Sequence, residues 1–381
     1  MKNNRTFLEK LLDGAEVKWI PLGDVADYEQ PTKYLVNSTV YNDNYPIPVL
    51  TAGKTFILGY TNEDEGIYFA SKSPVIIFDD FTTANKWVDF DFKAKSSAMK
   101  MITSKNEKFA LLKYIYYWLN TLPNNQIDGD HKRQWISNYA NKLIPIPPLP
   151  VQTEIVKILD ALTALTSELT SELTLRRKQY EYYREKLLSH NDSENLSQQK
   201  VDKDKLFSTS NIQWLHLNEI YKFQYGIGNK IPTIGGEYPV YGSNGIVGSH
   251  NEYNSEDAPV IGHIGAYAGI VNWAEGKHFV TYNGIICNKI NDNVNSRYAY
   301  YLLLSQNFID KANKASQPFI SYDILNKCIV PVPPIEEQHR IVSILDKFET
   351  LTNSITEGLP LAIEQSQNRY EYYRELLLNF S

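Results

Sequence analysis

The sequence predicts an α+β fold written twice on one chain: two structurally related mixed domains separated by two long antiparallel helices, with a pseudo-two-fold relation between the halves. The first observation is a repeated passage. Ile144 to Gln152 (IPIPPLPVQ) returns as Val330 to Gln338 (VPVPPIEEQ), 186 positions later. The second is the apolar-periodic segment that each copy opens, closing on Tyr180-Glu181-Tyr182-Tyr183-Arg184-Glu185 in one case and Tyr370-Glu371-Tyr372-Tyr373-Arg374-Glu375 in the other. The third is a looser likeness between the blocks that precede the two helices. A solenoid repeats every 20–50 residues or so, and this period is far longer, so the unit of duplication is a half-molecule.

Residues 1–150 form the first block. It begins with the amphipathic Phe7 to Leu12, which lacks the apolar core of a signal peptide. Short β-rich runs then alternate with Gly, Asn and Pro turns, the pattern of an irregular α+β domain. Trp19 to Val25 has its counterpart in Trp214 to Ile220, Pro48 to Gly53 in Pro239 to Asn244, and Pro74 to Ile77 in Pro259 to Gly262. One helix is expected in each block, over Lys108 to Asn120 and Arg297 to Gln306.

The first long helix is expected over 151–190. From Val151 to Leu188 there is neither Gly nor Pro, and apolar residues recur at Ile155, Ile158, Leu162, Leu165, Leu169 and Leu173, then Tyr180, Tyr183 and Leu187. This is a narrow helical stripe. At 1.5 Å per residue, roughly 38 residues make a rod of about 55 Å. The polar stretch 191–205 reads as a linker, and residues 206–335 are the second block. Residues 336–381 carry the second helix, with its stripe at Ile341, Leu345, Phe348, Leu351 and Ile355. It is four residues longer between its Asp and Tyr landmarks, about one turn, and Gly358-Leu359-Pro360 in that stretch should kink or break it. Neither stripe is stable alone in water. If the two pack together, chain order makes them antiparallel; the alternative is a pair of helices capping separate domains.

Composition sets bounds. With 381 residues, 43% hydrophobic and 13% aromatic, the chain supports two or three cores. No apolar run is long enough to span a membrane. The two cysteines are too few for a disulfide framework, and a reducing cytoplasm is the expected compartment. The net charge of −6 speaks against a chain that is basic all round. The deficit sits mostly in 336–381, which hold 4 basic and 8 acidic residues, while 1–150 hold 17 of each. Segregation of this kind leaves room for a polyanionic partner.

The doubled Pro-Pro-x-x-x-Gln opening of a long helix, together with Tyr238 to Ile246 (YPVYGSNGI) and Gln317 to Ser321 (QPFIS), resembles the DNA-specificity subunits of type I restriction–modification systems. The similarity runs over essentially the whole chain, including Leu8 to Val17. It implies two target-recognition domains, 1–150 and 206–335, separated by conserved spacer helices. It also implies double-stranded DNA as ligand, and as partners two methyltransferase (modification) subunits and, through them, restriction/translocase subunits. No activity of the chain's own, no cofactor, no metal and no membrane is expected.

Searching the residues for chemistry leads to the same expectation. Gly226-Ile227-Gly228 lacks a third glycine, and Gly262-His263-Ile264-Gly265 does not open a helix, so neither is a nucleotide loop. No Cys-x-x-Cys or His-x-x-x-His pair exists, as a metal site would favour. Asp257 with Glu275-Gly276-Lys277 supports a runner-up, a metal-dependent DNA-cleaving or DNA-modifying enzyme; a protein-only scaffold is the third class. Readout of sequence needs donors and acceptors at base edges and cations on phosphates. The candidates in polar loops are Thr82, Thr83, Lys86, Lys93, Lys95, Lys132 and Arg133 in the first block. In the second they are Ser243, Asn244, His263, Tyr267, Lys277, Lys314, Ser316 and Gln317. Tyr180, Tyr183, Tyr370 and Tyr373, at the helix ends, are the candidates for partner binding, with packing against the adjacent block as the equal alternative.

Overall fold

The repeated passage becomes helix at the same point in both copies. Pro150 stands in the first turn, where a missing N–H costs no hydrogen bond, and one helix then runs without interruption from Leu149 to Leu188. In the second copy the helix is in two pieces, Ile335–Asn353 and Leu359–Leu378. The expected break is present, and its cause is local. Gly358 takes φ +84°, and a Cβ there would lie 2.6 Å from the carbonyl oxygen of Thr350, so only glycine fits. Pro360 then occupies the first turn of the continuing helix. The structure is a computed structural model that describes residues 7–53, 55–123, 133–189, 212–228, 235–313 and 316–380. Its described helices of eight residues or more are α1 (Leu112–Leu119), α2 (Leu149–Leu188), α3 (Ser296–Ser305), α4 (Ile335–Asn353) and α5 (Leu359–Leu378).

The chain divides into two compact units, Met1–Thr170 with Ala362–Ser381, and Ser171–Leu361. The first unit holds β1 (Lys18–Pro21), β2 (Ala26–Glu29), β3 (Ile47–Leu50), β4 (Ile57–Thr61), β5 (Val75–Asp79), β6 (Asn85–Val88), β7 (Lys93–Ala94), β8 (Met99–Ser104) and β9 (Leu143–Ile146). β1 and β9 pair antiparallel, Lys18 opposite Ile146. The other strands form two sheets in the orders β2-β8-β5-β6 and β4-β3-β7. Strand β5 shows why it is apolar throughout. Its alternate residues Ile76 and Phe78 enter one core with Ile115 and Trp118 of α1, while Val75 and Ile77 enter another with Leu50, Phe92 and Met101. A strand covered on both faces needs no polar alternation. The first core is completed by Ile155 and Leu159 of α2 and by Leu377 and Leu378 of α5. Further along α2, Thr166 Oγ1 lies 2.8 Å from Ser366 Oγ. Contacts that advance on α2 and retreat on α5 make these segments antiparallel.

The second unit holds β10 (Gln213–His216), β11 (Tyr221–Tyr225), β12 (Tyr238–Gly242), β13 (Gly245–His250), β14 (Ser255–Gly262), β15 (Val271–Val280), β16 (Gly284–Lys289) and β17 (Ile329–Val332). β10 and β17 pair as β1 and β9 do, Gln213 opposite Val332. The large sheet has the order β11-β16-β14-β15-β12-β13. The likeness to the first unit is complete once β15 is set against β6 and β7 together. Its first part pairs antiparallel with β14, as β6 does with β5, and its last part runs parallel to β12, as β7 does to β3. The first unit splits this strand at Asp89, whose carboxylate accepts from Trp87 Nε1 at 3.1 Å. Tyr180, Leu187 and Leu188 of α2 share the core of this unit with Ile341 and Leu345 of α4, Tyr183 stacks on Phe348 at 5.7 Å, and these segments are antiparallel too.

The glutamine that ends each repeated passage is buried, and it does the same thing twice. Gln152 Oε1 accepts from Leu111 N at 2.9 Å, and its Nε2 donates to the carbonyls of Phe109 at 2.9 Å and Pro147 at 2.8 Å. Gln338 Oε1 accepts from Asn295 N at 2.8 Å, and its Nε2 donates to Asn293 at 3.2 Å and Pro333 at 2.8 Å. Each amide thus clamps the first turn of a long helix to the loop that starts α1 or α3. It also explains why α1 begins at Leu112 and not at Lys108: the Leu111 N–H is already committed to Gln152. The next layer repeats as well. Tyr114 and Tyr298 donate to the carbonyls of Pro145 and Pro331, and Tyr117 and Tyr301 donate to Asp160 and Asp346. Burial first, then the accepting carboxylate, holds both of these last phenols well above the ordinary tyrosine range. Gln152→Ala and Gln338→Ala should each cost about 2–4 kcal/mol, since buried backbone groups lose their partners. Calorimetry should show the unfolding midpoint falling by several degrees. A loss below about 1 kcal/mol at both sites would mean that water replaces the amide.

Candidate nucleic-acid interface

In the first unit, two short polar segments are fastened together by neighbouring aspartates. Asp79 Oδ1 accepts from Phe81 N and Thr82 N at 2.8 and 3.1 Å, which shapes the β5–β6 turn. Thr83 in that turn has φ +61° and is buried, whereas Thr82 is half-buried. Asp80 Oδ1 accepts from Trp135 N at 2.8 Å, and its carbonyl from Gln134 N. Arg133, which precedes the short helix Gln134–Ser137, is thereby brought beside the β5–β6 turn. Buried Trp135 packs against Phe78 and Tyr28 and fixes the segment from below. Lys86 is exposed on β6. Lys95 lies elsewhere, its ammonium 5.9 Å from the Tyr41 ring centroid. Lys132 falls outside the described residues.

Lys93 needs a correction. Expected among the solvent-facing cations, it is 2% exposed; its ammonium lies 2.8 Å from Glu63 Oε2 and donates to the Glu65 carbonyl at 2.6 Å. A buried ammonium must find such partners, and these hold it away from any phosphate. Glu63 is itself fixed by the Asn37 and Ser38 amides, so Lys93 ties two loops of the fold.

The second unit brings three of the expected loops to one place. Gly262 has room for no side chain because the carbonyl oxygens of Tyr267 and Ser243 would both lie within about 2.5 Å of its Cβ. The β12–β13 turn with Ser243 and Asn244 is therefore pressed against the loop His263–Tyr267. That loop is bound in turn to the segment after Gln317: Gly265 N donates to the Pro318 carbonyl and Ile320 N to the His263 carbonyl, both at 2.8 Å. Ser316 and Gln317 are exposed beside it, and Lys314 lies outside the described residues. His263 is buried and not a free reader. Its ring packs on Tyr225 at 4.3 Å, with Tyr282 at 5.1 Å, and Nδ1 lies 3.1 Å from the Tyr282 carbonyl. Tyr225 also stacks on Tyr322. This aromatic cluster, with exposed Tyr282 at its edge, was not anticipated, because its members are spread over about a hundred positions of the chain. Lys277 is at the other end of the β14–β15 ladder, over the ring of Tyr253.

Asp257 and Glu275, the carboxylates of the nuclease reading, line a cavity of about 630 Å³. Asp257 accepts from Gly276 N at 2.7 Å and so shapes its own turn. Among the described residues no group of three or more His, Cys, Asp or Glu is placed to hold a metal ion, and no helix is long and apolar enough to cross a membrane.

The family model for the type I restriction modification DNA specificity domain matches residues 15–176 and 217–365. The chain belongs to the type I restriction–modification specificity subunits. It is 49% identical to the specificity subunit of the Escherichia coli type I restriction enzyme EcoR124I/EcoR124II, over 98% of this chain and 97% of that protein. It is 38% identical to a putative specificity subunit of Haemophilus influenzae, over the full length of both. The solved S subunit from M. genitalium has the same fold, with a TM-score of 0.65 at 17% identity, covering 97% of this chain and 98% of that one.

In this specificity subunit the tyrosines at the helix ends divide by exposure. Tyr180 is buried in the second unit, Tyr183 stacks on Phe348 but is still 37% exposed, and Tyr370 and Tyr373 pack on the core of the first. Tyr182 and Tyr372, at matching positions, are 57% and 62% exposed. On the expectation that exposed Lys86 meets a phosphate, Lys86→Ala should reduce the slope of log affinity for duplex DNA against log salt by about one. Lys93→Met should leave the slope unchanged while lowering stability by about 3 kcal/mol, the scale of a broken buried pair. Titration at several salt concentrations, alongside thermal unfolding, separates the two. A reduced slope for Lys93→Met would return it to the reading face.

Proposed function

We propose that this chain reads DNA sequence and leaves the chemistry to other subunits. The observation that carries this reading is one frame bearing two different faces. Strand order, the glutamine clamp and the tyrosine layer repeat from unit to unit, while the loops they carry differ: Thr82, Arg133 and Lys86 in one, Ser243, Asn244, Tyr267 and Gln317 in the other. A duplicated frame with unlike loops suits a target of two unlike halves, as an identical pair would suit a palindrome. On this reading residues 1–150 and 206–335 each recognise one half of a bipartite, asymmetric site in double-stranded DNA. The helical segments 151–190 and 336–381 set the unread gap and serve as docking sites for two methyltransferase subunits, and through them for restriction/translocase subunits. The segment 191–205 links the two halves of the chain.

The experiment is selection of preferred duplexes by the chain assembled with its modification subunits. Wild type should yield two fixed half-sites around a constant gap. Removing Leu169 to Glu172 together with Leu361 to Glu364, four helical residues in each case, takes about one turn, roughly 5.4 Å, from each helical segment. Against a rise of about 3.4 Å per base pair, the gap should change by about one or two pairs with the half-sites intact. An unchanged gap at full affinity would show that the helices do not set it.

Docking is tested separately. The exposed Tyr182 and Tyr372 occupy matching helix positions, so native mass spectrometry should count two methyltransferase subunits per chain. Tyr182→Ala and Tyr372→Ala should each weaken the addition of one of them and leave base preference alone. One-to-one assembly in excess partner would contradict this.

A further inference from the structure

Beneath the polar corner of the first unit lies an ion pair that stability alone does not explain. Lys100 and Asp80 are each 1% exposed. Lys100 Nζ is 3.6 Å from Asp80 Oδ2, too far for a hydrogen bond, and that oxygen has no hydrogen-bond partner. Burying two charges costs several kcal/mol per ion, and a pair with poor geometry does not recover it. The contacts around the pair show what it organises. The ammonium sits 4.5 Å from the ring centroid of Tyr28, two residues before exposed Gln30. With the Gln30 amide oriented as its neighbours require, Oε1 accepts from Lys100 Nζ and from Arg133 Nη1, each at 3.2 Å. Asp80 meanwhile holds the backbone of Gln134 and Trp135. One buried pair thus joins three separate pieces of chain, the end of β2, the β5–β6 turn and the segment that begins at Arg133.

A carbonyl oxygen has two lone pairs, and both are taken in Gln30. What Gln30 and Arg133 can offer to an incoming base edge is therefore donors only, the Gln30 NH2 and the remaining Arg133 N–H groups. We propose that the buried Asp80–Lys100 pair positions Gln30 and Arg133 as a donor-only reader of a guanine edge, which presents two adjacent acceptors, N7 and O6, in the major groove. Lys100 is a positioning residue and touches no DNA. Gln30 and Arg133 are the specificity-determining ones. The inference rests on the first domain reading one half-site.

The test is the same selection from randomised duplex, made with the full chain assembled with its modification subunits. Wild type should fix a G·C pair in one half-site that Gln30→Ala relaxes about tenfold, the scale of a lost bidentate base contact. Lys100→Met should relax the same position to a similar extent, Lys100→Arg should restore it in part, and the other half-site should stay unchanged in all of them. Gln30→Glu, which presents an acceptor, should turn the preference away from guanine at that position. Thermal unfolding of each variant shows which are folded; Gln30 is exposed, so its variants remain informative if Lys100→Met is not. Unchanged selection by the Gln30 variants, a relaxed position that is an A·T pair, or equal blurring of both half-sites would overturn the proposal while leaving the two-headed reading in place. A wild-type chain that selects no bipartite site would overturn both.

Discussion

Everything in this molecule is arranged around two buried amides. Gln152 and Gln338 each use one acceptor and two donors on backbone groups that no strand or helix satisfies. Leaving such groups unpaired in an interior costs about 1–3 kcal/mol apiece, so the amide fixes where the long helix starts relative to the sheet and its packed helix. No other side chain of that size offers both an acceptor and two donors without charge. Glutamate would lose the donors, and methionine would lose everything. The two prolines before each glutamine keep the approach extended and place the carbonyl that the amide reaches.

With that joint fixed, the remaining layers have little freedom. Tyr114 and Tyr298 reach the same carbonyl in the paired outer strand, and Tyr117 and Tyr301 reach the carboxylate two turns along the helix. Lys113 stands over Trp87 as Arg297 stands over Trp273, and each cation is paired with the same carboxylates, Asp160 and Asp346. The conversion of lysine to arginine between the halves is instructive. Arg297 reaches a second carboxylate, Glu349, at 2.6 Å, where the first half has Thr163. The frame tolerates such local drift because the amide, not the ion pair, sets the geometry.

The sequence announced the frame clearly and the faces poorly. The helix stripe, the Pro-Pro-x-x-x-Gln passages and the Pro-led strands β3, β5, β12 and β14 obey short-range periodicity, so their duplication is visible by eye. The break near Gly358 came from two residues that cannot continue a helix. Lys93 and His263 show the opposite situation. Both looked like loop residues fit to meet DNA, and both are buried, because their partners Glu63, Tyr225 and Tyr282 come from strands and turns far away in the chain. Gln30 and Lys100 escaped notice for the same reason. Each is ordinary among its sequence neighbours, and only the fold of the first unit brings them to Arg133 and Asp80.

The division of the helices between the units bears on how the chain is made. The core of the first unit closes with Leu377 and Leu378, while Tyr180, Leu187 and Leu188, produced early, belong to the second. A ribosome emits residues 1–170 first, yet that block lacks pieces of its interior until Leu377 and Leu378 have followed. Its closing contacts join residues more than two hundred positions apart, the kind of long loop closure that slows folding. The second unit draws its parts from one unbroken stretch, Ser171–Leu361, and can condense as it emerges. The half that is born first is thus finished last, and loss of Leu377 and Leu378 would be felt most in the block made some two hundred residues earlier.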